Sequence, residues 1–267
     1  MNSLVDPIAL ARNRARATDM FLQSLAADEL QDRLGMVNKE FSAPAIVTPF
    51  PDVWSDRIPN ATVVPAQDVL TLEQAAHDIV IHSLDLHWAN DPVGQLIQCK
   101  RALQPDGLLL VAALGGRTLS ELRTSLAEAE ARISSGLSAR VAPMAEIRDF
   151  GALLQRAGLA LPVADSVVQN VEYADLGGVM RDLRCMGETN ALSARLRIPT
   201  KRAVFDAAAE TYAQHFSTQS GKVKATYEFV ILTGWAPDDS QPQPLRPGSA
   251  TQRLADALGA KEKNLPD

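Results

Sequence analysis

Asp78-Ile79-Val80-Ile81-His82-Ser83-Leu84-Asp85-Leu86-His87-Trp88-Ala89-Asn90-Asp91 opens a run that continues to Gly116. Its short apolar core, rich in β-branched residues, reads as a strand over 79–84. Pro92 then opens a helix through Leu103, because the N–H that proline lacks is unpaired in a first helical turn anyway. Pro105-Asp106-Gly107 supplies a turn. The unbroken apolar run over 108–114 has the pattern of a strand buried on both faces, and Gly115-Gly116 ends it. Strand, helix and strand in this order predict a parallel sheet covered by helices, the carboxyl half of a nucleotide-type α/β sheet.

Upstream, apolar residues at Met20, Phe21, Leu25, Leu30 and Leu34 recur at helical spacing and predict one helix over 7–34, stopped by Gly35. Arg12, Arg14 and Arg16 form a basic stripe on it, read as a solvated face in preference to an anion site. Strands are expected at 45–48 and 61–66. Pro49, Pro51 and Pro59 exclude a regular helix between them. Downstream, Thr118-Leu119-Ser120-Glu121 has the form of a capping box for a helix to residue 133. Pro143 is expected to open the next helix and Gly158 to stop it. Strands over 163–173 and 226–235 enclose helices over 176–186 and 200–216, the second capped by Thr200. These two strands are expected to pair antiparallel at one edge. The organisation read from this pattern is an N-terminal helical segment (1–40), an α/β domain (41–236) with a helical insert (about 174–216), and a proline-containing tail (237–267) with a short helix at 252–258.

The chain has 267 residues, 46% hydrophobic and 22% charged, enough to bury a sizeable core. Its net charge of −6 argues against broad nucleic-acid or anionic-membrane binding, although a local basic patch stays possible. Cys99 and Cys185 are far apart, and His77, His82, His87 and His215 show no metal-ligand spacing. Neither a disulfide framework nor a metal site is expected. No apolar run approaches the roughly 18–20 residues of a membrane span, and residues 1–17 lack the apolar core of a secretory signal. The expected setting is the reducing cytoplasm.

Three stretches carry a family resemblance. The opening run with Leu103-Gln104-Pro105-Asp106-Gly107 resembles the fourth strand and turn of class I S-adenosylmethionine-dependent methyltransferases, and its Leu-His-Trp is similar to the biotin-synthesis malonyl-carrier-protein methyltransferase branch. Gly115-Gly116-Arg117-Thr118-Leu119-Ser120-Glu121-Leu122-Arg123 is the second. The third is Asp182-Leu183-Arg184-Cys185-Met186-Gly187-Glu188-Thr189-Asn190. Together with Gly234-Trp235 and the Pro244–Ala250 stretch, these resemble a narrower group containing a mitochondrial complex I assembly factor, an arginine hydroxylase, and its bacterial relatives.

The resemblance implies a Rossmann-like three-layer sandwich of seven strands, one of them antiparallel, with S-adenosylmethionine at the carboxyl ends. In that family a glycine-rich loop after strand 1 meets the methionine moiety. An acid ending strand 2 holds the ribose, and an Asp after strand 3 meets the adenine. Carried over, Asp68, Leu84 and Asp85 are the cofactor-side candidates. His87, as a general base, and Trp88, packing the methyl group, are the catalytic candidates. Against this stands a strand end with the indole in the core. Arg123, Arg184, Glu188 and Asn190 are candidates for gripping a protein substrate or partner; equally, Arg123 would be solvated and Arg184 would bond a carboxylate in a packing layer.

The departures weigh heavily. Residues 43–52 contain no glycine, and only glycine lets backbone N–H groups crowd a ligand freely. The interval from Phe41 to Val63 is too short for the usual strands and helices, so strand 2 and its helix are expected to be deleted. The ribose acid then has no counterpart. The strand 3 acid falls at Ala66-Gln67, leaving Asp68 nearby, and Arg117 stands where relatives carry Asp. The expectation is a methyltransferase-like sheet truncated near strand 2, with a degenerate cofactor site and a partner-binding or respiratory-complex assembly role. An active S-adenosylmethionine-dependent methyltransferase or arginine hydroxylase acting on a protein is the alternative, and whether the chain is an enzyme stays open.

Overall fold

Residues 49–61 set the architecture. In the computed structural model, which describes residues 3–134 and 136–242, they join β1 (Pro44–Thr48) to β2 (Thr62–Pro65). The two strands pair directly and in parallel, from Ala45 opposite Thr62 to Thr48 opposite Pro65. A parallel crossover needs about a dozen residues, so nothing is left over for another strand. The connection holds a single 3₁₀ turn, Pro51–Trp54, whose Trp54 is fully buried. The expected deletion is therefore visible as a neighbour relation: β1 and β2 touch.

The remaining strands are β3 (His77–Ser83), β4 (Leu103–Leu114), β5 (Ala160–Tyr173) and β6 (Val223–Trp235), giving the sheet order β2-β1-β3-β4-β6-β5. β6 runs antiparallel to both neighbours, so β5 points the same way as β1 to β4. The last two strands pair antiparallel as expected; the reversed one is β6, one place in, and the edge itself is β5. Seven helices accompany the sheet among the described residues: α1 (Pro7–Arg14), α2 (Phe21–Gly35), α3 (Pro92–Ala102), α4 (Ser120–Ser134), α5 (Ile147–Arg156), α6 (Leu176–Cys185) and α7 (Arg202–Phe216).

The period-2 alternation of the strands divides the interior into two cores, which makes three layers. Ile81, Leu110 and Tyr227 face α2, α4, α6 and α7 through Leu30, Leu126, Val179 and Val204. Val80, Leu109 and Leu232 face α3 and α5 through Leu96 and Leu154. Residues 1–237 form one unit. Residues 238–267 form a second, in which Asp238 accepts from the Ser240 N–H at 2.9 Å and hydroxyl at 2.6 Å. The expected helix at 252–258 and the Pro244–Ala250 stretch lie outside the described residues.

Four local expectations are corrected, each by a tertiary partner that local propensity cannot see. The 7–34 helix is broken into α1 and α2, because the N–H groups of Thr18 and Asp19 leave the helix to bond the Cys185 carbonyl at 2.7 and 3.0 Å. The capping box does not form. Thr118 Oγ1 accepts from the Glu228 N–H at 3.1 Å, and the Glu121 carboxylate accepts from the Thr226 N–H at 3.2 Å and from its hydroxyl, straps that hold α4 to β6. Pro143 does not open α5, which starts at Ile147. Met144 instead packs the loop against the core. Thr200 does not cap α7, since its hydroxyl accepts from Arg140 Nη1 at 2.6 Å. The Pro105-Asp106-Gly107 turn survives as a bulge inside β4, where pairing jumps from His77–Leu103 to Ile79–Leu108.

The strap yields a test. Glu121→Ala leaves a buried Thr226 N–H without an acceptor and is expected to cost about 2–3 kcal/mol in urea unfolding. Ser120→Ala, at an exposed helix start, should cost under about 0.5 kcal/mol. Equal costs would show that the contact between Glu121 and Thr226 contributes no more than an exposed helix-start residue does.

Candidate functional site

Leaving β1 the chain moves one way to β2, and from β3 it moves the other way to β4. A crevice therefore opens at the carboxyl ends, between β1 and β3, where open α/β sheets bind ligands. It is a hollow of about 780 Å³, lined by Phe50 after β1, Gln67 and Asp68 after β2, Asp85 and Trp88 after β3, and Arg14 of α1. A second hollow of about 270 Å³ lies past the end of β4. Its walls are mostly apolar, among them Leu126, Met144, Phe205 and Tyr227, and Arg184, Glu188 and Asn190 also line it. Trp88 lines both hollows.

The end of β3 explains how Trp88 gets there. Leu84 adopts φ +47°, turning the chain into a 3₁₀ turn over Leu86–Trp88, and the Trp88 N–H closes it on the Asp85 carbonyl at 2.8 Å. Leu84 and Leu86 are buried, leaving Trp88 to divide the hollows. Its indole N–H donates to Glu188 Oε2 at 2.6 Å. Glu188 arrives from the end of α6, where Gly187 takes φ +75° and packs so closely that a Cβ there would lie 3.0 Å from Arg14 Cα. No other residue type suits that conformation in that space.

Beneath Trp88 lie four ionisable side chains, Arg14, Asp85, His87 and Glu188, and Arg14 Nε and His87 Nε2 are buried without a hydrogen-bond partner. The Arg14 guanidinium is paired with the Asp85 carboxylate, both nearly buried. Glu188 is the second buried carboxylate, and its field partner is the same Arg14. One guanidinium faces two carboxylates. Burial pulls the Glu188 carboxyl upward, yet the contact with His87, the field of Arg14 and the indole N–H together hold it below its ordinary value. Glu188 Oε1 is buried and has no hydrogen-bond partner. His87 is sealed beside it: Nδ1 accepts weakly from the Leu114 N–H at 3.4 Å, and Nε2 stands 3.8 Å from Glu188 Oε2. His82 lies deeper, kept neutral by burial, with Nε2 2.7 Å from Gln95 Oε1.

The structure thus sorts the sequence candidates. Asp68 sits exposed on the rim of the larger hollow, where Asp85 and Trp88 also lie. Leu84 is in the core and lines neither hollow. His87 is buried under the site rather than exposed to it. Arg123 lines neither hollow; its guanidinium reaches the carbonyls of Gly116, Thr118 and Ala142 at 3.3–3.4 Å. Arg184, Glu188 and Asn190 come together in the smaller hollow. Arg184 is exposed at its mouth, whereas Glu188 turns inward instead of projecting from α6, a correction that its indole partner explains. Asn190 Nδ2 donates to the Ala139 carbonyl at 2.6 Å. Arg14 was hidden in the basic stripe. Its position two residues from Arg12 turns it to another helix face, a signal the sequence contained.

The larger hollow lies at the carboxyl ends of the parallel strands, where the family resemblance expects a cofactor. Residues 49–61 hold no glycine, β2 occupies the position beside β1, and Asp85 is engaged by Arg14. Among the described residues no group of three His, Cys, Asp or Glu could hold a metal ion, and no helix is long and apolar enough to cross a membrane.

No family model matches the chain. The mitochondrial arginine-hydroxylase NDUFAF5 of Danio rerio is 37% identical over 199 residues, 74% of this chain and 62% of its own length. The Homo sapiens protein of that name is 34% identical over 230 residues, 86% of this chain and 66% of its own. A malonyl-[acyl-carrier protein] O-methyltransferase of Laribacter hongkongensis is 34% identical over 177 residues, 66% of this chain and 57% of its own. The chain belongs to the class I methyltransferase superfamily. It spans about three-fifths of the length of the curated relatives it matches. The YcgJ protein of Bacillus subtilis superposes with a TM-score of 0.49 at 12% identity, over 79% of this chain and 98% of that one. The Rossmann-like assignment rests on strand order: this is the class I sheet with the strand between β1 and β2 removed.

Trp88→Phe keeps the ring and removes the donor, stranding the Glu188 carboxylate. It is expected to cost about 1.5–3 kcal/mol in chemical unfolding at neutral pH. Because the native Glu188 pKa lies below its ordinary 4.5, the stabilisation is complete above that value and is lost as pH falls through the native one. The gap between the two proteins should therefore narrow in acid. A gap independent of pH would show that the lost contact does not involve the carboxylate.

Proposed function

We propose that this chain is a methyltransferase scaffold whose ordinary cofactor grip is lost, and that it binds a protein partner by taking a cationic side chain into the smaller hollow. The observation carrying this reading is Glu188: a buried carboxylate with one oxygen unpartnered, in a mostly apolar pocket. Leaving such an oxygen unpaired costs about 1–3 kcal/mol or more, and an entering donor recovers that cost. The Glu188 carboxylate favours a positive group, and the apolar walls suit a methylene stem. The relatives named arginine hydroxylases make an arginine guanidinium the leading occupant, since its fork matches a carboxylate. Respiratory-complex assembly, which the family resemblance implies, is the setting in which such a partner is met.

The cofactor half of the proposal rests on the missing donors. Each hydrogen bond to a charged group contributes roughly 1.5–3 kcal/mol, so losing several weakens binding by orders of magnitude. Calorimetric titration with S-adenosylmethionine is expected to give a dissociation constant no tighter than about millimolar. The survival of the 780 Å³ hollow favours a second reading, an enzyme acting on a protein substrate with the cofactor held through Asp68. Micromolar binding that disappears in Asp68→Ala would establish that reading and overturn ours. On the partner side, a peptide with a central arginine should bind at least tenfold tighter than its norleucine analogue. Glu188→Gln should remove that preference. Equal binding of the two peptides would remove the role assigned to Glu188.

A further inference from the structure

The basic stripe of α1 is only partly explained by Arg14. Arg12 and Arg16 are exposed, as are Arg181 and Arg184 of α6, and among the described residues none of the four forms an ion pair. Arg12 lies in the last turn of α1 and Arg16 two residues past its end, and Arg181 and Arg184 lie one turn apart on α6. The two helix ends are sewn together. Thr18 and Asp19 bond the Cys185 carbonyl, and Asn13 Nδ2 donates to the Thr189 carbonyl at 3.1 Å. The acids on the same segments are already engaged. Asp19 accepts from the Phe21 N–H, Asp182 accepts from the Tyr173 hydroxyl, and Asp6 is shared by Arg195 and Arg197. A chain of net charge −6 therefore carries a cluster of unpaired guanidiniums around the joined ends of α1 and α6, and one of them, Arg184, lines the smaller hollow beside Glu188.

We infer that the partner segment entering the smaller hollow carries carboxylates on either side of its inserted cation. The inference rests on the pocket reading above and adds the chemistry of the flanks. A bare cation approaching this mouth is opposed by the exposed guanidinium of Arg184 and its neighbours, within a screening length of about 8 Å at physiological salt. Flanking carboxylates turn that opposition into attraction and let the central cation reach Glu188. Charge complementarity of this kind sets specificity and encounter rate more than bulk affinity.

Four labelled peptides of equal length test it by fluorescence anisotropy with the full chain. Three carry a central arginine flanked by Asp, Ser or Lys, and the fourth carries a central norleucine flanked by Asp. The Asp-flanked arginine peptide should bind at least tenfold tighter than the Ser-flanked one at low salt, and the margin should shrink as salt rises. The triple variant Arg12→Glu, Arg16→Glu, Arg181→Glu should reverse the order of Asp and Lys flanks with an unchanged melting temperature; none of the three lines the hollow. Indifference to flanks with arginine still preferred overturns the role of the guanidinium cluster and keeps the pocket. Flank preference without discrimination between arginine and norleucine keeps the cluster and overturns the pocket. Binding to none of the peptides overturns both. Capture by phosphatidylglycerol vesicles, lost in the triple variant and unaccompanied by flank preference, assigns the cluster to a lipid surface and overturns the inference. Should the triple variant unfold, the salt dependence of the unaltered chain decides: a margin between Asp and Ser flanks that ignores salt overturns it.

Discussion

The parallel ladder between β1 and β2 is the constraint on which the rest depends. A ladder of N–H and C=O groups is nearly indifferent to sequence, so β2 can dock on β1 once whatever stood between them is gone. The adjacency is possible because the 49–61 connection is rich in proline and fills its own interior with Trp54 rather than a helix. Both cores survive because they are built on β1, β3, β4 and β6, the strands inside the sheet. The short connection joins β1 to β2, and the segments that follow these two strands line the larger hollow at their carboxyl ends.

What the deletion leaves is a site organised by Trp88. Arg14 enters from α1 and pairs with Asp85 inside the crevice. Arg14 cannot balance two carboxylates. Glu188 keeps one oxygen bonded to the indole and one unpartnered, and the chain tolerates this at a position where a glycine must hold the backbone in place. A buried unpaired polar atom is costly and therefore informative. Glu188 lines the smaller hollow, with the unpartnered Oε1 itself sealed from solvent.

Legibility in the sequence followed the range of the interactions. The strand-helix-strand run over 78–116 and the shortness of the 41–63 interval were readable because apolar periodicity and chain length are local quantities. From them came the alternation of strand and helix and, set against the family resemblance, the expected deletion near strand 2. The capping box at Thr118 and Glu121 was misread because both side chains bond to β6, more than a hundred residues away, and a distant acceptor outcompeted the local one. The break after α1 was invisible for the same reason, its cause being the Cys185 carbonyl. Among the site residues, Trp88 and Glu188 were both singled out, yet assigned to different tasks. Nothing in sequence spacing reveals a hydrogen bond between residues a hundred positions apart.

The same logic bears on why a trimmed scaffold retains so much of its carboxyl half. α6, the turn at Gly187 and the strand β6 contribute Glu188, Arg184 and Tyr227 to the smaller hollow, and they also form part of the larger core through Leu183, Val179 and Phe229. A change that loosened this half would unfold the sheet and open the hollow at once. The larger hollow is lined by α1 and by the segments after β1, β2 and β3, and Val5 and Trp88 in its wall belong to a smaller apolar cluster with Ala9 and Leu192. The smaller hollow is walled largely by residues of the larger core, Leu122, Leu126, Leu183 and Tyr227 among them, so a substitution that reshapes it also disturbs the packing that holds the sheet.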